Sequence, residues 1–240
     1  MKLDILVFAV HPDDAELGCC GTILKHIAEG KKVGLVDLTR GELGTRGTAE
    51  SRDEEAANSA VIMGLHAREN LGMRDAFFKN DEAHQLQIIR IIRKYQPEII
   101  LCNALRDRHP DHGRASDLVS DSVFFSGLPK VITEYDNEYQ TAHRPSLLLH
   151  YIQDKYIKPD VVVDVTEFWE TKMDCVRAFK TQFYTPELED IGQQTYISSP
   201  EFLYILEGRA REYGKNIGCK FAEGFTCDRI LGVKNLFDLL

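Results

Sequence analysis

Short apolar runs alternate along the first half of the chain with longer segments in which apolar residues recur every three or four positions. Three runs have the length and β-branched content of buried strands, and a more polar segment is predicted as a further strand: Ile5–Val10, Val33–Leu38, Glu98–Cys102 and His66–Leu71. Helical spacing occupies the intervals: Leu17–Ile27, Glu50–Met63 and Glu82–Tyr95. This alternation predicts an α/β fold with a doubly wound, mostly parallel, Rossmann-like sheet.

The second half of the chain has a less regular pattern. It predicts two more strands and three more helices: Leu147–Ile152 and Val161–Val165, then Asp111–Phe125, Thr166–Lys180 and a long last helix with an apolar stripe from Phe202 to Ile217. The polar, turn-rich segment Tyr184–Ser199 is predicted to be a mobile flap. Because no internal repeat, low-complexity tract or linker interrupts the chain, we expect one domain over residues 1–240.

Two polar loops follow predicted strands of this sheet. His11-Pro12-Asp13-Asp14 comes directly after the first strand, and the segment ending in His109-Pro110-Asp111-His112 comes after the fourth. Ligands of doubly wound sheets bind beyond the carboxyl ends of the strands. We therefore expect both loops to meet at one edge of the sheet and to form the active site there.

The residue types in these loops suit a metal ion. Zinc accepts imidazole nitrogen and carboxylate oxygen, and catalytic zinc sites use three protein ligands and a water. His11 and Asp14 can converge across a strand-to-helix turn, and the obvious source of a third ligand is the His109–His112 loop. Asp13 would then lie unligated beside the metal, placed to take a proton from the bound water. Ferrous iron accepts the same ligands, so Fe²⁺ is the alternative to Zn²⁺.

Each loop alone also fits an ordinary helix start, with Asp13 as the N-cap in the first. Their occurrence after two strands of one sheet favours the metal site. A dinucleotide site would need the G-x-G-x-x-G spacing, which is absent, and a two-metal phosphoesterase would need more bridging carboxylates. A non-catalytic metal- or sugar-binding module remains the alternative of another class, and it would not need a free base at Asp13.

Composition narrows the classes of partner. The chain has 38 acidic and 29 basic residues and a net charge of −9, which argues against nucleic acid. No apolar stretch approaches the ~20 residues of a membrane span, so no membrane partner is expected. The N-terminal segment lacks the pattern of a secretory signal, and the six cysteines show no C-x-x-C pair. We expect a cytoplasmic protein with reduced thiols.

Both motifs, with the segments Asp37–Glu42 and Ala222–Phe225, resemble those of the PIG-L/LmbE-like N-acetylglucosaminyl deacetylases. Within that family the chain looks like the branch that deacetylates N-acetylglucosaminyl-malate during bacillithiol biosynthesis. The resemblance implies a zinc-dependent amidohydrolase that releases acetate from a small amino-sugar substrate. Another small N-acetylated sugar or metabolite is the alternative substrate. The resemblance also implies a homo-oligomer, with a hexamer as the candidate form.

The resemblance also implies roles for particular residues. The zinc ligands would be His11, Asp14 and His112, with Asp13 as general base. His109 would stabilise the oxyanion of the tetrahedral intermediate, and Asp111 would orient His109. Four further residues are predicted to contact the substrate: Arg52 and Arg108, whose guanidinium groups would match malate carboxylates, Arg144 near the sugar or the oxyanion, and Tyr196, which would close over the sugar.

Overall fold

The computed structural model describes residues 1–184 and 193–239. Over these residues the chain forms nine strands: β1 Ile5–Ala9, β2 Val33–Thr39, β3 Ala67–Met73, β4 Ile99–Cys102, β5 Glu134–Tyr135, β6 Glu138–Tyr139, β7 Leu147–Tyr151, β8 Val161–Asp164 and β9 Ala222–Thr226. It forms seven α-helices: α1 Asp14–Gly18, α2 Cys20–Ala28, α3 Ala49–Met63, α4 Glu82–Tyr95, α5 Pro110–Ser126, α6 Trp169–Arg177 and α7 Pro200–Ile217. None of the helices in this part of the chain is long and apolar enough to cross a membrane.

Seven of the strands form one sheet in the order β3-β2-β1-β4-β7-β9-β8. The first five are parallel, and β9 runs antiparallel to both β7 and β8. The predicted α/β fold with a mostly parallel sheet is thus confirmed. Chain order reverses between β1 and β4, because β2 and β3 extend to one side and β4 and β7 to the other. This reversal is the switch point at which such sheets bind ligands.

Apolar layers cover both faces of the sheet, which explains why β1 reads as an uninterrupted apolar run. Leu6 and Phe8 belong to a cluster that includes residues of α4 and α5. Val7 and Ala9 belong to the cluster on the opposite face, which includes residues of α2. All five residues of β1 are buried. The strand is therefore fixed from both faces, and the loop that follows it starts from a rigid position.

Two features of the sequence prediction differ from the structure. The predicted helix from Leu17 is two helices, because Cys19 has φ −147° and interrupts the helical backbone between α1 and α2. The segment Thr166–Lys180 starts as a 3₁₀ turn, and its α-helix ends at Arg177.

The predicted flap Tyr184–Ser199 lies partly outside the described residues, since 185–192 are not among them. Its last part contains a 3₁₀ turn at Tyr196–Ser198.

Strand β9 was not predicted, because a charged residue occupies a fully buried strand position. Glu223 accepts hydrogen bonds from the backbone N–H groups of Gly21 (2.9 Å) and Thr22 (2.7 Å) in the first turn of α2. The same carboxylate accepts a hydrogen bond from Lys172 Nζ at 2.6 Å. Glu223 therefore joins β9, α2 and α6, at positions that no local sequence pattern connects.

We predict that Glu223→Ala lowers the free energy of unfolding by about 3–5 kcal/mol, because it leaves the Lys172 ammonium buried without its partner. Denaturant unfolding measures the change. The matched control is Glu207→Ala, which removes an exposed ion pair with Arg211 and should cost no more than ~1 kcal/mol. Equal losses in the two variants would contradict the buried role of Glu223.

Candidate active site

The turn after β1 places the first polar loop at the switch point. The backbone N–H of His11 donates to Asp14 Oδ2 at 3.0 Å, which closes the turn into α1. Asp13 has φ 130°, a backbone conformation that residues with a side chain rarely adopt. Its side chain makes no N-cap hydrogen bond to α1, so the alternative explanation of this loop as a simple helix cap does not hold. Strain of this kind concentrates at functional sites.

Three side chains from the two loops converge on one point. Ligand atoms of His11, Asp14 and His112 all lie within 4.8 Å of one another, and the three residues are buried. His112 Nε2 is 3.1 Å from Asp14 Oδ1, and His11 Nδ1 is 3.5 Å from Asp14 Oδ2. Two imidazole nitrogens and a carboxylate oxygen fit the donor set of zinc, with room for a fourth ligand. A second group, whose ligand atoms also lie within 4.8 Å of one another, contains His11, His109 and Asp111.

Each member of the first cluster is held by a further polar residue on its outer side. Asp75 Oδ1 lies 3.0 Å from His11 Nε2, and Asp107 Oδ2 lies 2.5 Å from His112 Nδ1. Asp14 accepts hydrogen bonds from the amide groups of Asn103 (3.0 Å) and Gln153 (2.9 Å). A carboxylate on the far nitrogen of a ligating histidine fixes the tautomer and makes the ligand more basic.

The sequence analysis did not single out these four outer residues, although their positions carry a signal. Asp75, Asn103 and Gln153 lie just beyond the carboxyl ends of β3, β4 and β7. Asp107 lies in the loop between β4 and α5. A search for polar residues within two positions of each predicted strand end would have found Asn103 and Gln153, but not Asp75, because the third strand was predicted to end at Leu71.

Negative charge dominates the electrostatics of the cluster. Burial alone lowers the pKa of the His112 imidazole, but Asp14 and Asp107 outweigh it and raise that pKa to about 9. Burial likewise opposes protonation of His11, and its carboxylate neighbours again raise its pKa well above the ordinary value. Burial raises the pKa of Asp14, but the two histidines outweigh it and hold the pKa well below its usual range. The cluster therefore favours positive charge, which a divalent cation supplies in place of the protons.

We predict that Asp107→Asn weakens zinc binding by about 10- to 100-fold, because His112 loses the carboxylate that orients it. Competition with a chromophoric chelator measures the affinity. Asp154→Asn is the control, since Asp154 lines the same cavity but its carboxylate pairs with Arg108. An unchanged affinity in Asp107→Asn would show that this hydrogen bond does not support the ligand.

Asp13 lies beside the cluster without contributing to it. Its Oδ2 accepts a hydrogen bond from Arg52 at 2.9 Å, and the same guanidinium donates to the Pro12 carbonyl at 2.5 Å. Burial raises the pKa of Asp13 to about 7, while Arg52 opposes the shift. A carboxylate whose pKa lies near neutrality, next to a candidate metal site, is suited to exchange protons with a reacting water and an amine.

His109 and Asp111 lie next to the cluster, with contacts that differ from the predicted arrangement. The His109 ring is 4.9 Å from the His11 ring, and its Nδ1 accepts from the backbone N–H of Asp111 at 3.3 Å. The proton of a neutral His109 is therefore on Nε2, where it can be donated. The Asp111 carboxylate contacts Arg114 (2.8 Å), the N–H of Ala76 (3.0 Å) and His11 Nε2 (3.7 Å). The backbone N–H of Asp111 thus donates to His109, and a carboxylate oxygen of Asp111 lies within 4.8 Å of a His109 nitrogen.

The three cluster residues line a cavity of about 380 Å³ together with Asp13 and His109, and this size is typical of small-molecule sites. Arg52, Arg108 and Tyr196 line it as predicted, and the Arg108 guanidinium lies over the Tyr196 ring at 5.0 Å. The Arg52 guanidinium forms an ion pair with Asp13. Arg144 lies outside this lining: its guanidinium packs on the Phe124 ring at 4.5 Å and donates to the Phe124 carbonyl. The role of Arg144 near the sugar or the oxyanion stays a prediction.

A buried three-donor cluster with a free carboxylate beside it, at the switch point of a doubly wound sheet, is the arrangement of a metal-dependent hydrolase. The family model described as PIG-L, GlcNAc-PI de-N-acetylase, matches residues 6–123. The diacetylchitobiose deacetylase of Thermococcus kodakarensis is 30% identical over 230 residues, which cover 92% of this chain and 81% of that protein. The chain belongs to the PIG-L family of deacetylases.

Two further proteins are similar to this chain over most of its length. A probable N-acetyl-α-D-glucosaminyl L-malate deacetylase 2 of Bacillus subtilis is 26% identical over 199 residues, covering 76% of this chain and 84% of that protein. The crystal structure of the conserved protein TT1542 from Thermus thermophilus matches with a TM-score of 0.84 and 33% identity, over 97% of this chain and 98% of that chain. The protein is accordingly an enzyme that acts on N-acetylated sugars, with a candidate metal site at His11, Asp14 and His112.

Proposed function

We propose that the protein is a zinc-dependent deacetylase that hydrolyses the N-acetyl group of N-acetylglucosaminyl-L-malate in bacillithiol biosynthesis. The observation that carries the hydrolytic part is Asp13, a buried carboxylate next to the three ligand atoms but not among them. A binding module has no use for such a strained, unligated base. The malate part is supported by the Bacillus subtilis relative and by the arginines of the cavity.

When bound at His11, Asp14 and His112, zinc would lower the pKa of a water to ~7 and polarise the acetyl carbonyl. Asp13 takes the proton of the attacking water and afterwards delivers it to the nitrogen of the departing amino sugar. Arg52 holds Asp13 in position through the 2.9 Å hydrogen bond. His109 donates a hydrogen bond from its Nε2–H group to the oxyanion that develops on the acetyl group.

A second candidate substrate is N,N′-diacetylchitobiose, which is favoured by the 30% identity to the Thermococcus kodakarensis deacetylase. This substrate is neutral, whereas the malate conjugate carries two carboxylates.

We further propose that the protein acts as a homo-oligomer. This is supported by apolar side chains near the C-terminus that are at least three-quarters exposed on one chain: Ile230, Leu236 and Phe237.

Acetate release from three compounds tests the function: N-acetylglucosaminyl-malate, diacetylchitobiose and free N-acetylglucosamine, each with the zinc-loaded protein. We expect release from the malate conjugate to have the highest kcat/KM. A higher kcat/KM with diacetylchitobiose would identify diacetylchitobiose, and not N-acetylglucosaminyl-malate, as the preferred substrate. Release from none of the three, by protein with zinc bound, would leave a metal-binding module as the better explanation.

A further inference from the structure

Four arginine side chains line the cavity, and their partners differ: Arg46, Arg52, Arg108 and Arg209. Arg52 forms an ion pair with Asp13, and Arg108 Nε is 3.4 Å from Asp154 Oδ2. Arg209, on α7, donates to the backbone carbonyl of Asp154 at 2.8 Å, and Arg46 Nε donates to the backbone carbonyl of Thr181 at 2.8 Å. Neither of these two arginines forms an ion pair with residues 1–184 or 193–239.

Arg108 and Arg209 meet at the same residue. Both contact Asp154, one through its carboxylate and the other through its backbone carbonyl. Among the described residues, one carboxylate thus faces two guanidinium groups. Tyr196 also belongs to this group, since Arg108 lies over its ring. The local excess of positive charge on this wall suits an anionic group of a ligand.

The position of the candidate metal site indicates which part of a substrate this wall would meet. Four carboxylates lie around the three ligand side chains: Asp13, Asp75, Asp107 and Asp111. In the proposed reaction the acetamido group lies at these ligand side chains, next to Asp13, and the aglycone extends from the sugar to another part of the cavity. A substrate with its acetyl group at the cluster would therefore direct any carboxylate of its aglycone toward Arg108 and Arg209.

We infer that Arg209, together with Arg108, forms a carboxylate subsite that selects substrates with an acidic aglycone over neutral glycosides. This inference rests on the proposed deacetylase function and adds the specificity-determining residue. Arginine suits the role because its planar fork matches a carboxylate with two parallel hydrogen bonds. Arg209 still has donors for such a contact, because its one recorded hydrogen bond uses a single N–H group.

The test compares N-acetylglucosaminyl-malate with the neutral methyl N-acetylglucosaminide. In Arg209→Gln, we expect the ratio of kcat/KM for the malate conjugate to that for the methyl glycoside to fall by about 10- to 100-fold, mainly through KM. Arg209→Lys keeps the charge but not the fork and should recover part of the ratio. Arg211→Gln is the matched control, because Arg211 lies on the same helix, is half exposed and pairs with Glu207. It should leave the ratio unchanged.

Thermal unfolding of each variant separates lost specificity from lost folding, and Arg209→Lys keeps the test informative if Arg209→Gln is unstable. A wild-type enzyme without preference for the malate conjugate would overturn the subsite. An unchanged ratio in folded Arg209→Gln would also overturn it, and if Arg209→Gln does not fold, an unchanged ratio in Arg209→Lys would do so.

Calorimetric titration with the amine product, glucosaminyl-malate, separates this inference from the proposed function. If the wild-type protein releases no acetate from either compound, the proposed function fails, but binding of the product still tests the subsite. Weaker binding in Arg209→Gln than in the wild type would support the subsite. Equal binding, or none by the wild type, would overturn it.

Discussion

Asp13→Asn should lower kcat by about 10²- to 10⁴-fold while the protein still binds one zinc ion per chain. The physical reason is that an amide cannot accept the proton of the attacking water, and general-base catalysis contributes about that factor. Metal binding should survive because Asp13 supplies no atom to the ligand cluster. Acetate release and elemental analysis of the same preparation measure both quantities.

Asp53→Asn is the control for this experiment. Asp53 pairs with Arg40 at the surface, so the substitution should change neither turnover nor zinc content. Wild-type turnover in zinc-loaded Asp13→Asn would remove Asp13 from the mechanism. Loss of zinc together with turnover would instead make Asp13 part of the metal site.

His112→Ala should lose zinc, and with it all detectable activity. His112 Nε2 is one of the three donors of the first cluster, so its loss should weaken zinc binding by more than the roughly 10- to 100-fold expected for Asp107→Asn. Zinc content after dialysis, measured beside circular dichroism to confirm folding, gives the result.

His109→Ala is the matched variant, because two groups of potential ligands share His11. If the ion binds at His11, Asp14 and His112, the His109→Ala protein keeps its zinc and loses turnover. If the ion binds at His11, His109 and Asp111, the His109→Ala protein loses its zinc and the His112→Ala protein keeps it. The pair therefore decides which group holds the metal, and full zinc content in His112→Ala would contradict the assignment made above.

The location of the site followed from the sequence because of a general property of parallel sheets. Strands such as β1 are buried on both faces and read as apolar runs, so their ends are visible, and ligands bind at those ends. The two loops with His11 and His112 could thus be assigned to one edge before the structure was considered. The structure confirms the sheet, and it brings the predicted cluster residues within 4.8 Å of one another.

The residues that support the cluster were harder to predict, because each depends on distant parts of the chain. Asp75 follows β3, which extends to Met73, two residues beyond the predicted end at Leu71. Gln153 contacts Asp14 from 139 positions away. Glu223 is tolerated in a buried strand only because Lys172 and the first turn of α2 satisfy it. Pairings of this kind leave no periodic signal, since they are set by tertiary packing.

Arg52 illustrates how the structure changes the interpretation of a residue correctly placed in the cavity. A sequence with an arginine near a predicted site suggests a contact with substrate. Here the guanidinium is buried, with hydrogen bonds to Asp13 and to the carbonyl of Pro12. Its position indicates that it holds the strained turn at Asp13, whereas Arg108 and Arg209 are the arginines that we propose for the substrate.

Reconstitution of the metal-free protein tests the central claim most directly. The protein is stripped with a chelator, dialysed, and titrated with zinc while acetate release from N-acetylglucosaminyl-malate and diacetylchitobiose is recorded. The account predicts no release by the metal-free protein and full release at one zinc ion per chain. Full release by the metal-free protein, or a zinc-loaded protein that releases no acetate from either compound, would contradict it.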